Sequence, residues 1–142
     1  METGARGISQ AEGRLILAAK NAGLPLDSLL RFRAAGYCPH PRQLAFHAAA
    51  RACDRPDGPT DIAFGGARGG GKSRAVVSQL AIDDCQRVPE LKALFLRKVG
   101  RAARESFGDL RRQALMNVPH IYKETTGMMQ FPNGSRIILG HF

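Results

Sequence analysis

The spacing of apolar and polar residues divides the chain into short elements. Ser9 followed by Glu12 has the spacing of a capping box and predicts a helix from about residue 9 to 21, stopped at Gly23. Leu24-Pro25-Leu26-Asp27 restarts the chain, with Asp27 expected as the N-cap of a short helix ending near Gly36. Pro39 and Pro41 stiffen the approach to an alanine-rich helix over 43–52, and residues 54–60 carry turn chemistry throughout. The β-tolerant run at 60–64, fenced off by Asp57-Gly58-Pro59, predicts a strand. Val76, Val77, Leu80 and Ala81 then form a helical stripe within 73–86. Residues 92–97 predict a second, largely buried strand, and a helix between two strands makes parallel pairing the expectation. Ala103, Phe107, Leu110 and Ala114 recur at helical spacing over 101–116. Apolar runs at 128–131 and 136–139 flank Pro132-Asn133-Gly134-Ser135, a strong hairpin signal.

Between the first predicted strand and its helix lie Gly66, Ala67, Arg68, Gly69, Gly70, Gly71, Lys72 and Ser73. They match G-x-x-x-x-G-K-[ST] without a break, the phosphate-binding loop of nucleoside triphosphatases. Each fixed position has a physical task. Gly66 and Gly71 permit positive φ and close approach of a phosphate. The amides of residues 69–73 can form a nest for the β-phosphate at the positive end of the following helix. Lys72 would reach the β- and γ-phosphates as a point charge, and Ser73 would hold Mg²⁺ through its hydroxyl. A flexible glycine linker does not account for the terminal Lys-Ser or for the flanking strand and helix.

Charge and composition narrow the partners. The chain has 142 residues and a net charge of +9, a balance that favours a polyanion or simply a solvated basic surface. With two Tyr, seven Phe and no Trp, contact with duplex phosphates fits better than stacking on single-stranded bases. The first residues include Glu2 and Arg6 without an apolar leader core, and the aliphatic run at 15–19 is too short to span a bilayer. Cys38, Cys53 and Cys85 are widely separated, which suggests free thiols in a reducing compartment. Cys38, His40, His47 and Cys53 do not have a usual zinc spacing.

Other residues give the loop a context. Arg68 stands four positions before Lys72, and the segment Tyr37-Cys38-Pro39-His40-Pro41-Arg42-Gln43-Leu44-Ala45-Phe46 precedes the loop. Downstream come Phe95-Leu96-Arg97-Lys98, an Arg-rich helix containing Ser106, and Gln130-Phe131-Pro132-Asn133-Gly134-Ser135-Arg136-Ile137. Over residues 37–142 this combination resembles the large subunit of phage terminases, the motors that package viral DNA. The resemblance implies an α/β P-loop NTPase fold of RecA-like, three-layer type. It divides the chain into an N-terminal helical region, 1–36, and the N-terminal part of an ATPase domain, 37–142. It implies ATP and Mg²⁺ as cofactors, with Arg42 and Gln43 in an adenine-recognition segment and Lys72 and Arg68 as catalytic residues. Double-stranded DNA, a portal protein, a small terminase subunit and a homo-oligomeric ring are the partners implied, in the cytoplasm of a bacterial host.

The family pattern also implies a hydrophobic strand ending in Asp-Glu, which this sequence lacks; Asp83-Asp84 falls on the predicted loop helix. The expectation is therefore a fragment that binds nucleotide and hydrolyses little of it, with Glu124 the first overlooked acid to test. Several residues keep two readings. Gln43 reads adenine or is a polar first-turn residue. Arg68 supplies charge to the γ-phosphate or is a solvated loop arginine. Arg97 and Lys98 line a binding crevice or are strand-end charges. Arg101, Arg104, Arg111 and Arg112, expected on one face opposite Phe107, contact DNA or a neighbouring subunit, or decorate a surface helix. A RecA-like helicase and a nucleotide- or DNA-binding module that never hydrolyses are the alternatives to the packaging motor.

Overall fold

The structure is a computed structural model that describes residues 7, 9–67, 71–98 and 100–141, with backbone alone over 100–104. Helix α1 (Gln10–Ala22) begins at the predicted capping box: Glu12 N–H donates to Ser9 Oγ at 3.2 Å and Ser9 N–H to Glu12 Oε2 at 3.1 Å. It ends at Gly23, whose φ of 83° closes the last turn. Helix α2 (Leu26–Ala34) starts two residues earlier than expected. Pro25 is its N-cap, and Asp27 lies inside the first turn, where its carboxylate meets Arg31 and Arg51. Helix α3 (Pro41–Ala52) carries Pro41 at its start, where a missing N–H costs nothing.

The strand expected at 60–64 does not form. Residues 59 and 61–67 have no regular structure, with a bend at Thr60, and Thr60, Asp61, Ile62 and Ala63 are exposed. The expected parallel pair with residues 92–97 is therefore absent too. An isolated apolar run has no intrinsic reason to be a strand; it needs a neighbour to take its backbone hydrogen bonds. What holds this run is a side chain, Phe64, stacked on Phe46 of α3 with ring centroids 5.0 Å apart.

Helix α4 (Lys72–Ser78) runs on without a break into a π-helical turn (Gln79–Asp84) and a last short turn, α5 (Cys85–Arg87). Strand β1 (Lys92–Arg97) follows, then α6 (Gly100–Ala114), β2 (Ile121–Lys123), β3 (Met128–Gln130) and β4 (Arg136–His141). The strands form one mixed sheet in the order β1-β4-β3-β2, and the protein is mixed α/β. The predicted hairpin is present as β3 and β4, antiparallel with Gln130 opposite Arg136. The parallel partner of β1 is β4, in register from Lys92↔Arg136 to Arg97↔His141.

The turn of that hairpin does more than reverse the chain. Asn133 Nδ2 donates to the carbonyl of Cys85 at 2.6 Å and Ser135 Oγ to that of Val88 at 2.7 Å. The turn thus satisfies carbonyls at the end of the long helix that starts at Lys72. On one sheet face, Phe107 of α6 packs against Phe95 and Tyr122 with centroids 5.5 and 5.9 Å away. The opposite face is open: Leu94, Leu96 and Ile138 are 61, 49 and 38% exposed, so β1 is not the largely buried strand expected. The core continues from Phe95, Met129 and Ile137 through Val77, Ala81 and Ile82 to Leu29, Phe32 and Leu44 of the first helices. Among the described residues, no helix is long and apolar enough to cross a membrane.

Candidate functional site

Gly66 and Gly71 bracket the described ends of the loop with φ of 147° and 75°, conformations that a side chain disfavours. Gly71 is the N-cap of α4, so the chain turns directly from the loop into the helix. A Cβ on Gly71 would lie 2.6 Å from Gln43 Nε2, so a side chain here would have to displace the Gln43 amide as well as strain the backbone. Lys72 folds back over the loop, and its Nζ donates to the carbonyls of Gly66 at 2.7 Å and Ala67 at 2.6 Å. Arg68, Gly69 and Gly70 lie outside the described residues.

Gln43 is buried and uses both ends of its amide. Its Oε1 accepts from His40 N–H at 3.0 Å and its Nε2 donates to the carbonyl of Gly71 at 3.0 Å. Gln43 N–H in turn donates to His40 Nδ1 at 3.4 Å, a reciprocal cap with histidine where serine or aspartate is usual. The segment read as adenine recognition therefore touches the loop directly, through the backbone of Gly71. Arg42, beside it, is exposed and lines a cleft of about 360 Å³ with Phe46, Ile62 and Phe64. Ser73 Oγ accepts from Arg97 Nη2 at 2.9 Å, which brings the carboxyl end of β1 to the loop.

Behind the loop runs a buried polar network that sequence reasoning missed. Asp83, with a fully buried side chain, accepts from Ser28 Oγ and Arg31 Nη1, each at 2.8 Å, from Gln79 Nε2 at 3.1 Å and from Arg87 Nε at 3.2 Å. Gln79 Nε2 also donates to Asp84, so its Oε1 is left to face His47 Nδ1 at 2.8 Å. An amide oxygen only accepts, so His47 carries its proton on Nδ1. Its Nε2 then accepts from the Tyr37 hydroxyl at 2.9 Å. Burial lowers the His47 pKa to about 4, against the opposing pull of Gln79 and the Asp83 charge, and the ring is neutral near pH 7. Burial pushes the Tyr37 phenol upward despite Arg74, and raises Asp84 against the bonds from Gln79 and Arg87. The signal was present as spacing: Gln43 and His47 lie four apart on α3, as do Gln79 and Asp83 on the loop helix. Which helix would face which was not legible.

The arginine face expected on α6 is only partly formed. Arg111 is half-buried, four residues beyond Phe107 and on the same side, with its guanidinium 4.5 Å from the Tyr122 ring centre and 3.2 Å from His120 Nε2. Arg112 is exposed and paired with Asp109, while the side chains of Arg101 and Arg104 lie outside the description. Glu124 is exposed and lines a separate cleft of about 370 Å³ with Glu105, Arg112 and Tyr122. Comparisons with protein-family models, curated proteins and solved structures found no match to this chain.

Proposed function

We propose that the chain binds ATP with Mg²⁺ at loop 66–73 as the ATP-binding part of a viral DNA-packaging motor of the terminase large-subunit type. In the whole motor this part would couple hydrolysis to translocation of double-stranded DNA, in the cytoplasm of a bacterial host. The observation that carries the reading is the junction at Gly71. A glycine with φ of 75° delivers Lys72 and Ser73 into the first turn of a helix continuous over residues 72–87, and Lys72 Nζ points back across the loop. Both features support the reading, since a β-phosphate cradle needs backbone donors at a helix start with a cation beside them. Lys72 would exchange its carbonyl partners for phosphate oxygens, and Ser73 would ligate the metal. The cleft beside Arg42 and Phe46 offers an apolar wall with one cation for the base.

The non-hydrolysing module is favoured by one further observation. Asp83 and Asp84, the paired acids on the loop helix, are committed to Arg31, Arg87 and Gln79 rather than turned to the loop. Neither is placed to orient an attacking water. Binding and turnover are accordingly separate tests. ATP or ADP with Mg²⁺ should raise the thermal midpoint of the wild type, and Lys72→Ala should abolish the rise. Equal protection of the variant would remove the loop assignment. Steady-state hydrolysis lost on Lys72→Ala would reject the non-hydrolysing reading.

A further inference from the structure

The contact between Arg97 and Ser73 joins two elements that the loop motif does not itself connect. Arg97 is the last residue of β1, and its Nη2 reaches Ser73 Oγ at 2.9 Å. Its guanidinium also lies 5.8 Å from the centre of the Phe95 ring, which restricts where the fork can turn. Ser73 Oγ is at the same time the oxygen that nucleotide binding assigns to Mg²⁺. A magnesium–oxygen bond of about 2.1 Å would bring the metal close to a cation already bonded to that atom. The guanidinium cannot relieve the repulsion by losing a proton.

We propose that Arg97 is a nucleotide-state relay, which leaves Ser73 for the terminal phosphate when Mg²⁺·ATP binds and remains on Ser73 when Mg²⁺·ADP binds. This inference rests on the nucleotide-binding reading of loop 66–73. Its chemistry is a competition for one hydroxyl oxygen. A metal on Ser73 would weaken the hold of the guanidinium without a place for it to go, and a terminal phosphate would give it a new acceptor to which a planar fork can donate twice. A diphosphate supplies no such acceptor, so arginine and metal continue to compete and the metal is held less well. Because Arg97 ends β1, and β1 is paired along its length with β4, the exchange reaches the sheet. An arginine that merely anchored the strand to the helix would stabilise the fold without distinguishing the two nucleotides.

The test compares Mg²⁺·ADP with the Mg²⁺ complex of a non-hydrolysable ATP analogue by titration calorimetry. Wild type, Arg97→Gln, Arg97→Lys and Lys72→Ala are measured, with thermal midpoints recorded for each. We expect Arg97→Gln to lower the affinity for the triphosphate about tenfold and to leave or improve that for the diphosphate. Arg97→Lys keeps the charge without the fork, and should retain binding with part of the preference lost. It serves as the informative variant should Arg97→Gln fold poorly. An unchanged triphosphate-to-diphosphate ratio in whichever variant folds, with binding still dependent on Lys72, would overturn the relay alone. Binding that ignores Lys72→Ala, or no binding by wild type, would overturn the nucleotide reading and the relay together.

Discussion

Single positions carry the geometry of this loop, and Gly71 is the most exposed to change. Its φ of 75° disfavours any side chain, and a Cβ would meet Gln43 Nε2 at 2.6 Å. Gly71→Ala should therefore cost about 2 kcal/mol in urea unfolding, and adding Gln43→Ala should recover only the steric part. Full recovery in the double variant would mean the backbone angle is not a constraint. His47 gives a pH dependence of defined sign. Its folded pKa is about 4 against an ordinary 6.5, because burial disfavours the imidazolium. The unfolded chain takes up the proton first, so the contribution is complete above 6.5 and is lost as pH falls through about 4, a change of about 3 kcal/mol. Asp84 acts in the opposite sense: burial raises its carboxyl, so its contribution is present at low pH and lost as pH rises through the folded value. The difference between wild type and His47→Asn isolates the histidine. We expect the variant to flatten the acid slope, and an equal slope in both proteins would assign it to other groups.

At the scale of elements, the interior of a helix face is decided by what packs on it. Helix α6 presents Phe107 to Phe95 and Tyr122, and Arg111 follows one turn later on the same side. Its guanidinium is consequently a roof over Tyr122 rather than a free phosphate ligand. Arg111→Ala should lower stability by about 1 kcal/mol while leaving the salt dependence of any duplex binding unchanged. A fall of one unit in the log–log salt slope would return Arg111 to the nucleic-acid face. The π-helical turn illustrates the same point within the loop helix. Over Gln79–Asp84 it carries the two side chains, Gln79 and Asp83, that meet α2 and α3. Widened turns of this kind interrupt α-helical register, and here the turn coincides with the buried network around Asp83.

For the molecule as a whole, Asp83 ties the first helices to the helix that leaves the loop. Ser28 and Arg31 come from α2, Arg87 from the end of the loop helix, and all three converge on one buried carboxylate. A buried charge pair contributes little beyond an apolar substitute, but removing one partner strands the others. Asp83→Ala should lose about 3 to 5 kcal/mol. Since one core runs from Leu29 and Phe32 through Val77 to Phe95 and Ile137, the loss should appear in a single transition. Coincident midpoints from far-ultraviolet ellipticity and from the signals of Tyr37 and Tyr122 would bear this out. Separate midpoints would divide the helices from the sheet.

Local chemistry wrote its own outcome into the sequence. The Ser9–Glu12 capping box, the stop at Gly23, the helix over 101–116 in its main part, and the Asn133-Gly134 hairpin each depend on residues a few positions apart. The positive φ at Gly66 and Gly71 belongs to the same class, since glycine permits an angle that other residues resist. What needed the tertiary structure was every decision about partners distant along the chain. Residues 60–64 have β-tolerant chemistry but no strand beside them, so they remain irregular and are held by Phe64 on Phe46. Residues 93–96 are all apolar, so no alternation could say that Phe95 faces α6 while Leu94 and Leu96 face outward. Gln43, His47, Gln79 and Asp83 look like scattered polar residues along the chain, and only helix packing joins His47, Gln79 and Asp83 in one hydrogen-bonded line and sets Gln43 on the carbonyl of Gly71. A side chain's propensity acts within its own turn of chain, whereas burial and pairing depend on surfaces brought together from distant positions.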